Sequence, residues 1–492
     1  MPGKNSVQGI QECLNFIEGQ WTQPAEPLGA VISPLTGKQL AKTFRSSSAC
    51  VNRAVLAAKS AQESWAQWSL RERSAIFYKF NNWITENLQE LIQTISMECG
   101  KLPEEARDGL YKGMEIIEFA ASLQNHDTMA KMQVSRGVFC EYRREPLGIV
   151  AGITPCNFPA MVPLWMIPIA IMTGNSFIWK PSEKTPMTSI LLCEGLKSCG
   201  LPDGILSVVQ GDKTTVDALC DHKDIQAIGF VGSSPVAKYV YNRATQNGKR
   251  ALTLGGAKNH IILMPDAQPE IAVDGIIASF SGCAGQRCMA ASVLLAVGDT
   301  NKIIHEIAKK AANFKAMQNI GAIITKQSLE KLVNTIEKAV TEGARLLVDG
   351  RNPTVAKEYS NGNWLCPTIL DEVSPNSFCA QEELFGPILS IVRCHDIEHA
   401  IKIENHNRYG NAASVFTSRG DIAEYVTNNA KSGMIGINIG IPVPREPFSF
   451  GGIQDSKFGH GDITGHSGVD FWSLKKKVTT KWFQAQTKNW MS

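Results

Sequence analysis

The sequence predicts an α/β fold with two parallel-sheet domains in series, on the strength of two textures and the length. From residue 147 onward, short apolar runs alternate with helical stretches, which is the pattern of strand-helix-strand units feeding a parallel sheet. A second series of the same kind starts near Leu252. A chain of 492 residues has room for two or three domains of roughly 150 residues, each with its own core.

The elements follow in chain order. Val51, Ala54, Val55 and Ala58, then Ile76, Phe80, Trp83 and Ile84, recur at three- and four-residue spacing, so residues 50–100 read as two amphipathic helices. Residues 148–153, 176–179 and 205–209 are apolar runs of strand length, and 260–264 and 292–297 repeat the theme with helical stretches at 270–282 and 300–314. The tail from Phe471 to Phe483 carries enough Thr and Val to be a strand.

Composition excludes several function classes. With 43% apolar and 19% charged residues, disorder and collagen-like structure are ruled out. A net charge of +3, whose densest basic patch is Lys475-Lys476-Lys477, gives no stripe for nucleic acid. Thirteen cysteines lack any C-x-x-C, and no apolar or Arg-rich leader follows Met1, so a reducing, cytoplasmic location is expected. Residues 146–179 are long and apolar except for their polar interruptions. Pro155, Pro159, Pro163 and Pro168 with Asn157 and Asn175 argue against a membrane span, because lipid would leave their polar groups unsatisfied.

Three strings could carry chemistry. A G-x-G-x-x-G fingerprint is absent, since the run from Gly459 to Gly465 is one residue too long. In its place, Ile228 to Pro235 runs a strand into a Gly232-Ser233 turn before a helix, which suits either a pyrophosphate at a helix N-terminus or an ordinary capped helix. Cys288 lies beside Arg287 in the Gly-rich run 280–289, where a cation favours thiolate, although most cysteines are packing residues. His395-Asp396-Ile397-Glu398-His399 fits a loose zinc pattern, but it lacks a third ligand and reads equally as a helix start, so no metal is expected.

Taken together, these strings resemble the aldehyde dehydrogenase superfamily along almost the whole chain. The likeness rests on Phe16 to Trp21, Ser33 to Gly37, Pro155-Cys156-Asn157-Phe158-Pro159, Lys180 to Pro186, Gly232-Ser233, Leu254-Gly255-Gly256, Gly285 to Cys288, and Glu382 to Pro387. It implies two Rossmann-like domains, one cofactor-binding and one catalytic, with a small β oligomerisation element. The expected boundaries are 1–122 and 145–253 for the NAD-binding domain, 254–440 for the catalytic domain, 441–469 for a return segment, and 123–144 with 470–492 for oligomerisation into a dimer or tetramer. Cys288 is implied as nucleophile, Asn157 as oxyanion donor, and Thr154, Cys156, Lys180, Glu183, Lys184, Ser233, Gly255, Glu383 and Phe385 as the NAD path.

Within the superfamily, Gly256-Ala257-Lys258-Asn259-His260 and Arg287-Cys288-Met289-Ala290 resemble the CoA-acylating methylmalonate-semialdehyde dehydrogenase branch. Hydrolytic members have a glutamate directly before the Leu-Gly-Gly string, and this chain has Thr253. The resemblance therefore implies a semialdehyde substrate, coenzyme A as co-substrate, and Arg287 as partner of the substrate carboxylate, although a structural pairing within the loop also suits Arg287. The chain departs from the branch at Gln286, where Glu is usual, at Lys112, where a second arginine is expected, and over residues 447–452.

Overall fold

A computed structural model describes residues 6–7, 10–24, 26–127 and 130–482. The first sheet has eight strands in the order Lys457–Phe458, Arg250–Leu254, Ile225–Val231, Ile149–Ile153, Ser176–Lys180, Leu206–Val208, Asn15–Ile17 and Gln20–Thr22. The five strands between residues 149 and 254 are parallel, and their chain order runs 3-2-1-4-5 across the sheet. The order reverses between Ile149–Ile153 and Ile225–Val231, so a crevice opens at the carboxyl ends of those two strands, where nucleotides bind in such sheets.

A second sheet has seven strands, in the order Arg345–Val348, Thr368–Asp371, Ile388–Cys394, Ala291–Val297, Asn259–Leu263, Ala412–Phe416 and Met434–Ile437, with only the first antiparallel to its neighbour. Both sheets are covered on both faces. Val150, Phe177 and Trp179 join one core while Ile149, Ala151, Ile153 and Ile178 join the core on the other side. Ile262, Val293 and Leu295 alternate likewise with Ile261, Leu263 and Leu294. Burial on both faces is why these strands read as continuous apolar runs.

Two sequence expectations change. Residues 50–100 form three helices, Ser48–Trp65, Leu70–Glu86 and Leu88–Cys99: a reciprocal capping box of Ser69 and Glu72 starts the second, and the backbone leaves the helical region at Asn87 before the third. In the tail, Phe471 ends the helix Gly465–Phe471, and the strand is Ser473–Lys481; Phe483 lies outside the described residues, as does the rest of the expected 470–492 segment beyond Trp482. That strand pairs along its full length with Val138–Pro146, which pairs with Lys131–Ser135. The apolar stretch 146–179 folds as Ile149–Ile153, the helix Met161–Met172 and Ser176–Lys180, and no helix among the described residues is long and apolar enough to cross a membrane.

Candidate active site

The carboxyl ends of the first sheet gather the residues expected along a cofactor path. Thr154 follows the strand Ile149–Ile153, and its hydroxyl accepts a hydrogen bond from Trp179 Nε1 at 2.8 Å. Lys180 ends the next strand, buried, with Nζ 3.2 Å from Glu183 Oε2. Burial works to raise the Glu183 carboxyl, but Lys180 and the local backbone outweigh it and hold the group below its usual range. Glu183 and Lys184 line a cleft of about 800 Å³ together with Thr325 and Lys326. Cys156 is half-buried beside them, its carbonyl held by Thr185 Oγ1 at 3.2 Å and its thiol raised by burial.

Gly232 and Ser233 follow the strand Ile225–Val231 at the crevice itself. Ser233 is the N-cap of the helix Ser234–Gln246, yet its side chain makes no capping bond, so the ordinary capped-helix reading does not hold. Gly255 leaves room for its neighbours, since a Cβ there would lie 2.6 Å from Ser234 Oγ and 2.8 Å from the Asp455 carbonyl. Glu383 reaches the same strand end and accepts from Ala257 N at 2.9 Å, and a Cβ on Gly256 would meet its carboxylate at 2.4 Å. Burial lifts Glu383 to about 7, against the hydrogen bond from Ala257 and the charge of Lys258. Phe385 stands two residues on, in the left-handed region at φ 61°.

The nucleophile candidate lies at the amino end of the second sheet, just before Ala291–Val297. Cys283, Ala284 and Gly285 have φ of 52°, 52° and 67°, a run of left-handed residues that turns the chain sharply ahead of Cys288. Gly285 is required for contact, because a Cβ there would lie 2.2 Å from the Gly386 carbonyl. Gln286 fastens the loop by donating to Ala322 O at 3.0 Å while accepting from Ile324 N at 2.9 Å. A glutamate could only accept, which gives the departure at this position a physical meaning. The Cys288 carbonyl is clamped by Asn259 Nδ2 at 2.7 Å and Asn411 Nδ2 at 3.0 Å. Sequence reasoning missed both asparagines; Asn259 sat within the quoted Lys-Asn-His run without a role, and Asn411 gave no local signal.

One expectation about this loop is corrected. The Cys288 thiol is pushed up to about 12 by burial and by the charge of Glu383, and Arg287 offsets this only in part, so the resting group is a thiol and not a thiolate. The reason is that the Arg287 guanidinium lies against Gly282 and donates to the carbonyls of Ala278 and, at 3.1 Å, Ser279, at the end of the helix Pro269–Ser281. A cation there suits the helix C-terminus. Asn157 is buried with its Nδ2 3.0 Å from the Gln286 carbonyl, which uses one of its two N–H groups and leaves the other.

Cys288, Arg287 and Lys112 line a cavity of about 800 Å³ with Phe158, Trp165 and Phe450. Its carboxylates are engaged. Glu105 accepts from Cys283 N at 2.5 Å, Asp274 pairs with Lys310, and Asp108 pairs with Arg107 at 3.3 Å. Thr253 does not line it; that side chain is fully buried and donates to Ala237 O at 2.9 Å. A larger hollow of about 910 Å³, between residues 311–318 and 348–367, holds none of the expected site residues. His395 and His399 stack at 4.3 Å with His395 Nδ1 on Asp396, and no group of three metal-ligating side chains occurs among the described residues.

This geometry agrees with what the chain is similar to. The aldehyde dehydrogenase family model matches residues 21–478. A malonate-semialdehyde dehydrogenase of Geobacillus kaustophilus is 40% identical over 478 residues, covering 95% of this chain and 97% of the relative. The crystal structure of a methylmalonate-semialdehyde dehydrogenase from Oceanimonas doudoroffii superposes with a TM-score of 0.94 at 37% identity, covering 96% of this chain and 98% of that one. An NAD+ complex of a Bacillus cereus aldehyde dehydrogenase superposes with a TM-score of 0.90 at 27% identity, covering 96% of each. Sheet order, nucleophile loop and matched relatives converge, and the chain belongs to the aldehyde dehydrogenase family.

Proposed function

We propose that the chain oxidises malonate or methylmalonate semialdehyde with NAD and passes the acyl group to coenzyme A. The observation that carries this reading is the setting of Cys288, in a cavity whose lining carboxylates Glu105, Asp274 and Asp108 each have a partner among the described residues, while Thr253 lies buried outside it. With no unpartnered carboxylate among the described residues lining the cavity to activate water, an acyl-enzyme there is discharged by a better nucleophile, and a thiol ionises more readily than water. The named relatives that act on malonate and methylmalonate semialdehyde support the same substrate class.

The residues present fit a dinucleotide. Ser233 caps nothing at an exposed helix N-terminus, and Glu183 is a carboxylate placed to accept from ribose hydroxyls and repel a 2′-phosphate. Bound NAD supplies the hydride acceptor. Cys288 gives up its thiol proton to solvent as its sulfur adds to the aldehyde carbon, and the free N–H of Asn157 with the Cys288 backbone N–H holds the oxyanion. Loss of hydride leaves a thioester on Cys288. Its β-carboxylate, oriented by Arg287, departs as CO2, and the resulting enolate is held by the same donors and protonated. Exchange with the CoA thiol releases acetyl- or propionyl-CoA and restores Cys288. The three-stranded sheet around Ser473–Lys481, with its exposed edges, serves assembly into a dimer or tetramer.

One observation favours a second reading, hydrolysis without CoA. Glu383 is lifted to about 7 and its charge is felt at Cys288, so it has the ionisation of a general base. NADH production from malonate and methylmalonate semialdehyde, with and without CoA, separates the two. CoA-dependent turnover supports acylation, and rates indifferent to CoA support hydrolysis through Glu383.

A further inference from the structure

Building on the aldehyde oxidation above, we propose that the cavity also takes longer ω-semialdehydes, of five or six carbons, whose carboxylate is read at its mouth by Arg445. Four cations line the cavity; two are held in ion pairs, and Arg287 turns Nη2 to helix carbonyls while its Nε stays unpartnered among the described residues, beside Cys288. Lys112 Nζ lies 2.8 Å from Glu115 Oε2 and 3.3 Å from Glu446 Oε2, and Lys310 is paired with Asp274. Arg445 is different. Its side chain is 81% exposed, and its one ion pair is a loose 3.9 Å approach to Glu115, which already serves Lys112. A planar fork with unspent donors is what bidentate carboxylate binding requires.

Size points the same way. At about 800 Å³ the cavity is in the range that encloses drug-sized ligands, far beyond what a three- or four-carbon acid fills. Its lining includes Phe158, Met161, Trp165, Ile441, Val443 and Phe450, apolar groups suited to a methylene chain. A longer substrate spans from thiol to guanidinium along that wall. The chemistry at the aldehyde end is unchanged through hydride loss, but the chain has no β-carboxylate, so its product keeps every carbon as a thioester or acid.

The test uses the intact enzyme with saturating CoA, so that kcat/KM reports steps through hydride loss whichever nucleophile follows. Malonate, glutarate and adipate semialdehydes are compared with pentanal and hexanal, in the unaltered protein, Arg445→Met and Arg445→Lys. The expected result is turnover of glutarate and adipate semialdehydes. In Arg445→Met, the ratio of their kcat/KM to that of the equal-length aldehyde falls at least about tenfold, through KM, with partial recovery in Arg445→Lys. Absence of turnover of the longer semialdehydes, or an unchanged ratio in Arg445→Met, overturns the proposal. CoA dependence plays no part in either outcome, so failure of the acylating reading is seen separately.

Discussion

At the scale of single residues, the ionisation of Cys288 is the feature that most constrains chemistry. Its thiol is held at about 12 by burial first and by the charge of Glu383 second. Because a thiolate is the nucleophile, alkylation of the free enzyme by iodoacetamide should be slow near pH 7 and climb toward about 12. Glu383→Gln removes the like charge, so the alkylation profile should shift to lower pH; an unmoved profile would show that the carboxylate is not felt at sulfur. Gln286 makes a second case. Replacing it by Glu leaves the Ala322 carbonyl facing an acceptor, and a stability loss of about 1–3 kcal/mol is expected in urea unfolding. The identities of Cys288, Gln286 and Arg287 were legible in sequence. Their partners were not, because Asn411 lies 123 residues from Cys288, and the direction of Arg287 is decided by Gly282, whose missing side chain makes the space it fills.

At the scale of elements, the nucleophile loop and the sheet ends do the positioning. Three successive left-handed residues are affordable only because Gly285 is one of them and its backbone touches Gly386. Gly285→Ala should therefore lower the melting temperature and abolish activity together, since the 2.2 Å approach forces the two loops apart; an active, stable variant would contradict the packing described. The parallel strands were readable because burial on both faces makes them apolar throughout, as in Ile149–Ile153 and Ala291–Val297. By contrast, the four-stranded sheet of Ser6–Val7, Ile10–Glu12, Glu26–Ile32 and Gln39–Arg45 was not anticipated, since its strands are short or, like Glu26–Ile32, largely exposed despite the apolar Leu28 to Ile32. For the strand Ser473–Lys481, deletion should yield monomeric or insoluble protein by sedimentation, and a stable monomer from the intact chain would count against its role in assembly.

At the scale of the whole molecule, the carboxyl end of one parallel sheet faces the amino end of another, and the reacting atoms belong between them. The bond from Asn157 to the Gln286 carbonyl spans that junction, joining the loop after Ile149–Ile153 to the loop before Ala291–Val297. Among the described residues no unpartnered carboxylate lines the cavity beside Cys288, and the proposed transfer of the acyl group to CoA rests on that. Rapid mixing of enzyme, NAD and malonate semialdehyde, with NADH absorbance followed in time, tests this most directly. A burst close to one NADH per Cys288 is expected, then a slow phase that CoA accelerates. Fast, linear NADH formation indifferent to CoA would contradict it.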